Sequence, residues 1–419
     1  MLTQAENEGL ARVGRGTPAG ELLRRYWHVA AASCELTQES PVKPVRILGE
    51  DLILFRMPPA PGQSQPRYGL VEERCPHRGA SFKYGMVDCE GIRCIYHGWK
   101  FAADGTCLEQ PPEGSQSSFK DRVRHRSYPV EKLAGLLFAY LGPAPAPLLP
   151  RWDVLVREDG RRFGVIESVI DCNWLQTMEN SVDPSHLYWL HGSLGSRNLP
   201  VGKERFAALG LQSQYDEKNE FFQVEYGIMK RRITPNPTPG APPETEQHPL
   251  VFPTYLRLVP SLASLRVLSA SKTLTEEESK LRYVHDMDFR TPVDDTHTME
   301  YRVCFLPSSA RMSADEDPPF ERCPFKDEDG NYRLEIIPAQ DALAWESQGP
   351  LTDRTSEHLG TADRGIILLR KLIREQIEAV ERGEDPIGVI RDPAKNVSID
   401  LDVVHEPLGL YRPSEKVAS

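Results

Sequence analysis

Two short segments hold residues that can bind metal. The first reads Cys75-Pro-His77-Arg-Gly79. Sixteen residues separate His77 from Cys94, which opens the second, Cys94-Ile-Tyr-His97-Gly98-Trp99. Each pair supplies one thiolate and one imidazole from a tight turn. Two such loops held side by side can bring four ligands to a metal centre, at the ~2.0–2.3 Å typical of sulfur and imidazole donors. Pro76 stiffens the first loop, and Gly79 and Gly98 permit close backbone approach.

The mixed spacing separates the candidate metals. A structural zinc site usually uses C-x2-C or H-x3-H pairs, not C-x-H with C-x2-H. The asymmetric pairs match a [2Fe–2S] centre of the Rieske type, in which two His replace two Cys on one iron. On that reading Cys75 and Cys94 hold the buried iron, and His77 and His97 hold the outer one. Neutral imidazoles raise the potential, and their outer edge can pass an electron on. Cys89 and Cys107 flank the motif and read as bystanders.

A second group lies in Glu179-Asn180-Ser-Val-Asp183-Pro-Ser-His186-Leu-Tyr-Trp-Leu-His191. Two His and one carboxylate on one face of Fe(II) leave positions open for O2 and substrate. His186 and His191 are five residues apart, and a regular helix turns about 500° over that distance, which would splay them. Pro184 also removes a helix hydrogen bond. The sequence therefore predicts a broken or bulged helix, with Asp183 as N-cap and Pro184 at N1. Asp183 and His186 share a face. Asn180 is a candidate donor beside the metal, while Tyr188 and Trp189 read as core.

The elements that must position these groups fall into an α+β arrangement. An N-terminal helical and extended segment is expected over 1–44, with a helix from Pro18 to Tyr26. Short alternating strands over 45–150 predict a small all-β unit, ending at the Pro-rich run Gly142–Pro147. The larger unit, 151–419, opens with a strand over 160–170 and a helix over 172–182. Strand-like runs follow at 220–229, 254–259, 264–274 and 296–306, which predict one antiparallel sheet. Helical patterning covers 341–382, with a break at Gly360. Residues 58–66, 235–249 and 307–330 read as loops.

Composition excludes several classes. Fifty Lys and Arg against 61 Asp and Glu leave a net charge of −11, which argues against a nucleic-acid binder. No run approaches the ~20 apolar residues of a membrane span. The N-terminus has no secretory pattern, so a cytoplasmic location with reduced thiols is expected.

Taken together, C-x-H…C-x2-H followed by N-x2-D-x2-H-x4-H resembles the α subunit of Rieske non-haem iron aromatic-ring oxygenases, from about residue 25 to 380. The resemblance implies a Rieske [2Fe–2S] domain followed by a helix-grip-like domain with a mononuclear Fe(II). It implies that His186 and His191 bind this iron. The third ligand would be an Asp at the start of a C-terminal helix, best matched by Asp341, with Glu346 and Asp353 as runners-up. Asp183 would bridge the iron site to a Rieske histidine of a neighbouring subunit, which makes a homotrimer, or a multiple of one, part of the mechanism. The segment WESQGPLTDRTSEHLG resembles the single-subunit-type branch that includes phthalate and phenoxybenzoate dioxygenases. That branch implies an NADH-dependent flavin and ferredoxin-type reductase as partner.

The resulting expectation is O2-dependent hydroxylation, with cis-dihydroxylation favoured, of an aromatic and carboxylated small molecule. The alternatives are a monooxygenase that dealkylates an aryl ether or amine, a Rieske electron carrier without oxygenase activity, and a zinc-stabilised interaction protein. Lys230, Arg231 and Arg232 form a basic patch that could grip a carboxylate.

Overall fold

A computed structural model of the chain describes residues 2–194, 218–234, 243–260, 274–281, 283–401 and 403–406. The first half is built from three small antiparallel sheets. One pairs Trp27–Ala32 with Leu136–Tyr140 and Val130–Leu133. A second runs Val42–Ile47, Glu50–Met57, Arg67–Glu72 and Ser127–Tyr128. The third runs Met86–Val87, Ile92–Arg93, Lys100–Phe101 and Cys107–Glu109. Leu48 and Gly49 both have positive φ, 51° and 78°, as a two-residue hairpin turn requires. Their N–H groups donate to the Pro292 and Val293 carbonyls at 2.9 and 2.8 Å, which docks this hairpin on the larger unit.

The larger unit is built, among the described residues, on a nine-stranded sheet with helices packed against it. Gly160–Ile170 and His297–Pro307 are its longest strands, 11 residues each, and pair antiparallel. His285–Asp294, absent from the sequence reading, pairs with His297–Pro307. The expected run at 220–229 is a hairpin instead, Lys218–Val224 with Gly227–Thr234. The sheet is mixed, because Phe320–Arg322, inside the expected 307–330 loop, pairs parallel to Gly160–Ile170.

The expected loop at 235–249 is also corrected. Glu244–Val251 is a strand between Gly227–Thr234 and Tyr255–Leu258. Its Pro and acidic content reads as loop locally, but pairing on both sides overrides that preference. The rest of that segment, and most of the expected 264–274 strand, lie outside the described residues.

Helices Gln4–Ala11, Trp174–Ser181, Ile337–Ser347 and Arg364–Glu381 complete the fold. One buried cluster joins Leu10, Leu22, Trp174, Leu369 and Ile373. A second joins Trp27, Phe138, Trp152 and Phe289. Both cores run across residue 150.

Candidate metal centres

The two Cys/His loops are near copies in backbone. Gly79 N–H donates to the Cys75 carbonyl at 2.8 Å, and Gly98 N–H to the Cys94 carbonyl at 3.0 Å. Cys75 N–H donates to Ala80 O at 2.9 Å, and Cys94 N–H to Trp99 O at 2.8 Å. Both glycines sit at φ 74°, a conformation that a Cβ would strain. The Cys94 loop is held by the hairpin Ile92–Arg93 and Lys100–Phe101.

Cys75 and Cys94 are 3% and 2% exposed. Burial, with Cys94 alongside, pushes the Cys75 thiol up to about 11. A bound metal reverses that preference and takes the thiolate. The His77 and His97 rings lie 4.5 Å apart between centroids, nearer the surface. Trp99 stacks on His77 at 4.4 Å and 7°. His77 Nδ1 is buried without a hydrogen-bond partner, as a nitrogen kept for a metal would be. Among the described residues, only His186, His191 and Asp341 bring three ligand atoms within 4.8 Å of one another. Two buried thiols beneath two outer imidazoles form the two-level donor set of a Rieske [2Fe–2S] cluster.

At the second site the helix Trp174–Ser181 ends, and the chain breaks across Val182–Ser185. Asp183 Oδ1 accepts from Ser185 N–H at 2.8 Å, capping the restart. The restart is a π-helix, Leu187–Leu194. Its i→i+5 pattern answers the spacing problem, because residues five apart stack along one face. The His186 and His191 rings lie 5.2 Å apart at 80°.

Asp341 enters from the second turn of Ile337–Ser347. Its Oδ1 is 3.7 Å from His186 Nε2 and 3.4 Å from His191 Nε2. Burial works against ionising Asp341, but the two histidines outweigh it and hold its carboxyl below the usual range. Burial likewise opposes charging His191, and Asp341 draws its proton affinity up. Two imidazoles converging on a half-buried carboxylate make an electron-rich pocket suited to a divalent cation. Asn180 Nδ2 donates to Asp341 Oδ1 at 3.5 Å. His186 Nδ1 lies 3.7 Å from Asp183 Oδ2, on the side away from Asp341. Glu346 instead takes Lys326 at 2.6 Å, and Asp353 caps Thr355 N–H at 2.9 Å.

Several residues escaped the sequence reading. Gln340 Oε1 accepts from His191 Nδ1 at 2.9 Å, and its Nε2 donates to Leu334 O at 2.6 Å. The amide is thereby oriented, and it fixes the His191 tautomer that leaves Nε2 for a metal. Gln176 Nε2 donates to Trp345 O and Gly349 O, both at 3.0 Å, joining the helix of Asn180 to that of Asp341. Glu179 is clamped by Arg354 and Arg370, each at 2.7 Å. Trp189, expected in the core, is 59% exposed.

The basic patch divides. Arg231 donates to Gln247 at 3.0 Å and Glu220 at 3.1 Å, and Arg232 pairs with Glu246. Lys230 is 8% exposed, stands opposite Phe221 and His248, and has no hydrogen bond or ion pair among the described residues. Burial lowers its proton affinity, while Glu246, Asp183 and Asp341 pull the other way.

Comparison with known proteins agrees with this layout. A model described as the Rieske [2Fe-2S] domain matches residues 26–128, and one described as LigXa C-terminal domain like matches 325–401. The 5,5'-dehydrodivanillate O-demethylase oxygenase subunit of Sphingobium sp. is 37% identical over 97% of this chain and 87% of its own length. The chain belongs to the Rieske oxygenases. The phenoxybenzoate dioxygenase subunit alpha of Ectopseudomonas oleovorans is 35% identical over 91% of this chain and 87% of its own. The solved structure of NdmA from Pseudomonas putida CBB5, a QL mutant with caffeine, shares the fold with a TM-score of 0.61. It is 19% identical and covers 94% of this chain and all of that one. This Rieske oxygenase is thus an oxidoreductase of the terminal oxygenase type, a class with a [2Fe–2S] cluster and a mononuclear catalytic iron. No helix among its described residues is long and apolar enough to cross a membrane.

Proposed function

We propose that this oxygenase uses electrons from a separate NADH-dependent reductase to oxygenate an aromatic acid, with O-dealkylation of an aryl ether as its preferred outcome. The observation that carries the oxygenase reading is the closure of His186, His191 and Asp341 to within 4.8 Å. In the assignment, Cys75, His77, Cys94 and His97 hold the cluster. His186, His191 and Asp341 hold an iron that supplies O2 activation when bound. Gln340 and Asn180 orient its ligands. Dealkylation is placed ahead of the expected dihydroxylation on the 37% identical relative, which is named for an O-demethylation, while the 35% identical one is named for a dioxygenase of phenoxybenzoate and keeps dihydroxylation as the second reading.

Asp183 is the proposed electron bridge between subunits. Its side chain is 26% exposed and faces His186 Nδ1, so one oxygen can reach outward while the other steadies the imidazole. Exposed Ile95 and Tyr96 beside His97, and exposed Trp189 beside the iron ligands, give both ends of that bridge an apolar rim. This supports a head-to-tail ring, the homotrimer. Lys230 is the proposed contact for the substrate anion, since a buried ammonium without an ion pair gains most from a carboxylate.

The experiment is a product screen with 18O2 and a reductase, offering methoxybenzoates, phenoxybenzoates and unsubstituted aromatic acids. Phenol and formaldehyde from the methoxybenzoates support dealkylation. Cis-diols carrying two labelled oxygens would replace it with dihydroxylation.

A further inference from the structure

A second concentration of charge lies on the sheet face beneath the iron-ligand helices. Asp286, Asp288 and Arg290 alternate along His285–Asp294, opposite Cys304, Arg302 and Glu300 of His297–Pro307. Glu167 joins from the irregular stretch of Gly160–Ile170. Asp286, Asp288, Arg290 and Glu300 are at most 4% exposed, and Glu167 is 6% exposed. Arg302 is the hub: 2.9 Å from Asp288, 3.2 Å from Asp286, 3.4 Å from Glu167 and 3.8 Å from Glu300. Arg290 extends the network, 3.6 Å from Glu300 and 3.7 Å from Asp288.

The network has two ends. At one, Arg290 donates to Thr177 O at 2.7 Å and to Ser181 Oγ, and lies 4.9 Å over the Trp345 ring. Those contacts are on the helices that carry Asn180 and Asp341. At the other, Glu167 comes from the strand Gly160–Ile170, whose opposite face borders an open cavity of about 460 Å³, with Val45, Ile47 and Tyr301, at the seam with the Rieske unit. Cys304, Arg257 and Cys323 also face the cluster, and the charge of Asp341 is felt at Glu300.

Four carboxylates against two guanidiniums leave two uncompensated negative charges if all are ionised. Buried carboxylates in that position take up protons instead. Glu167 Oε2, Glu300 Oε2 and Asp286 Oδ2 are buried and have no hydrogen-bond partner among the described residues, so the two guanidiniums do not satisfy every carboxylate oxygen. Burial, opposed by Arg302 and Arg290, pushes Asp286 and Glu300 up to about 7.

Oxygenation needs protons as well as electrons. Hydroxylation runs R–H + O2 + 2e⁻ + 2H⁺ → R–OH + H2O, and adding both oxygens to a ring consumes the same two electrons and two protons. We propose that Glu167, Asp286, Asp288 and Glu300, held together by Arg302 and Arg290, are the proton store for this step, discharged toward the pocket of Asp341. The inference rests on the oxygenase reading and not on which product forms.

Infrared spectra of the iron-depleted protein test the store without turnover. A protonated-carboxyl band is expected at pH 7, reduced in Glu300→Gln. In the reconstituted enzyme, Glu300→Gln should keep its cluster spectrum and iron content. Product per O2 should fall by up to about 10²-fold, the low end for a positioned proton donor, with peroxide released and a larger solvent isotope effect. A purely structural role would lower the melting temperature and leave the isotope effect unmoved. Absence of the band in wild type, or unchanged coupling and isotope effect in Glu300→Gln, overturns the proposal. If Glu300→Gln does not fold, Glu167→Gln at the edge carries the same two readouts. Wild-type O2 consumption on aromatic acids reports separately on the oxygenase reading.

Discussion

Replacing Gln340 with Met removes both hydrogen bonds of a side chain that is wholly buried. His191 Nδ1 loses its acceptor at 2.9 Å, and the Leu334 carbonyl loses its donor at 2.6 Å. A buried group left unsatisfied costs about 1–3 kcal/mol, so stability should fall by roughly that amount. The larger consequence is for metal. Without the amide the imidazole is free to flip tautomer or rotate, and loss of such a supporting contact costs about 10–100-fold in metal affinity. At about 1.4 kcal/mol per tenfold, this is ~1.4–2.8 kcal/mol. The assay is iron titration after mild chelation of the mononuclear site, with the [2Fe–2S] absorption as internal control. Gln340→Glu separates the two effects, because it keeps an acceptor for Nδ1 and loses the donor to Leu334. It should bind iron nearly normally while melting lower. Wild-type iron affinity in Gln340→Met would refute the orienting role.

Other predictions concern the bridge, the pocket and acid stability. Asp183→Asn should retain both metal centres and nearly abolish turnover, checked by metal analysis beside single-turnover kinetics; normal turnover would remove the bridge assignment. Lys230→Met should weaken binding of an aromatic acid by about 10-fold or more, the scale of a lost charge-assisted contact of about 1.5–3 kcal/mol. Binding of the corresponding amide should barely change in calorimetry; equal losses for both would point to packing. Arg354→Met leaves the buried Glu179 with Arg370 alone and should destabilise by about 3–5 kcal/mol in denaturant titration. His28 is fully buried, its Nε2 2.8 Å from Leu23 O, and burial holds its pKa down to about 4. The folded value lies below the unfolded ~6.5, so its contribution is present above pH 6.5 and is lost on acidification, by about 2 kcal/mol at pH 5. His28→Gln should lose that part of the pH dependence between pH 7 and 5.

The candidate metal sites were legible because their information is local. C-x-H and C-x2-H each occupy one turn, and the five-residue step from His186 to His191 already required an irregular helix. Gln340 was not legible, since a Gln beside an Asp in a helix has no signature until the fold brings His191 to it, 149 residues away. The network at 286–302 was hidden for the same reason. Alternating Asp and Arg on a strand reads as a solvated face, and only the helices laid over it make it buried. Arg231 and Arg232 looked like a free patch until the register gave them Glu220 and Glu246. Glu244–Val251 has a composition that argues for a loop, and two flanking strands decide otherwise.

The π turn also determines which changes the iron site can absorb. Its alignment of His186 with His191 is a matter of phase along the backbone, so the number of residues between them matters more than their identity. Exchanging Trp189, which is exposed, leaves the phase intact. Deleting it lets the segment relax to an ordinary helix, in which positions four apart still share a face. The pair therefore stays aligned only if the whole segment exchanges its π turn for an α turn, a rearrangement that a changed side chain does not require. In this stretch a shortened chain should be far more damaging than an altered side chain.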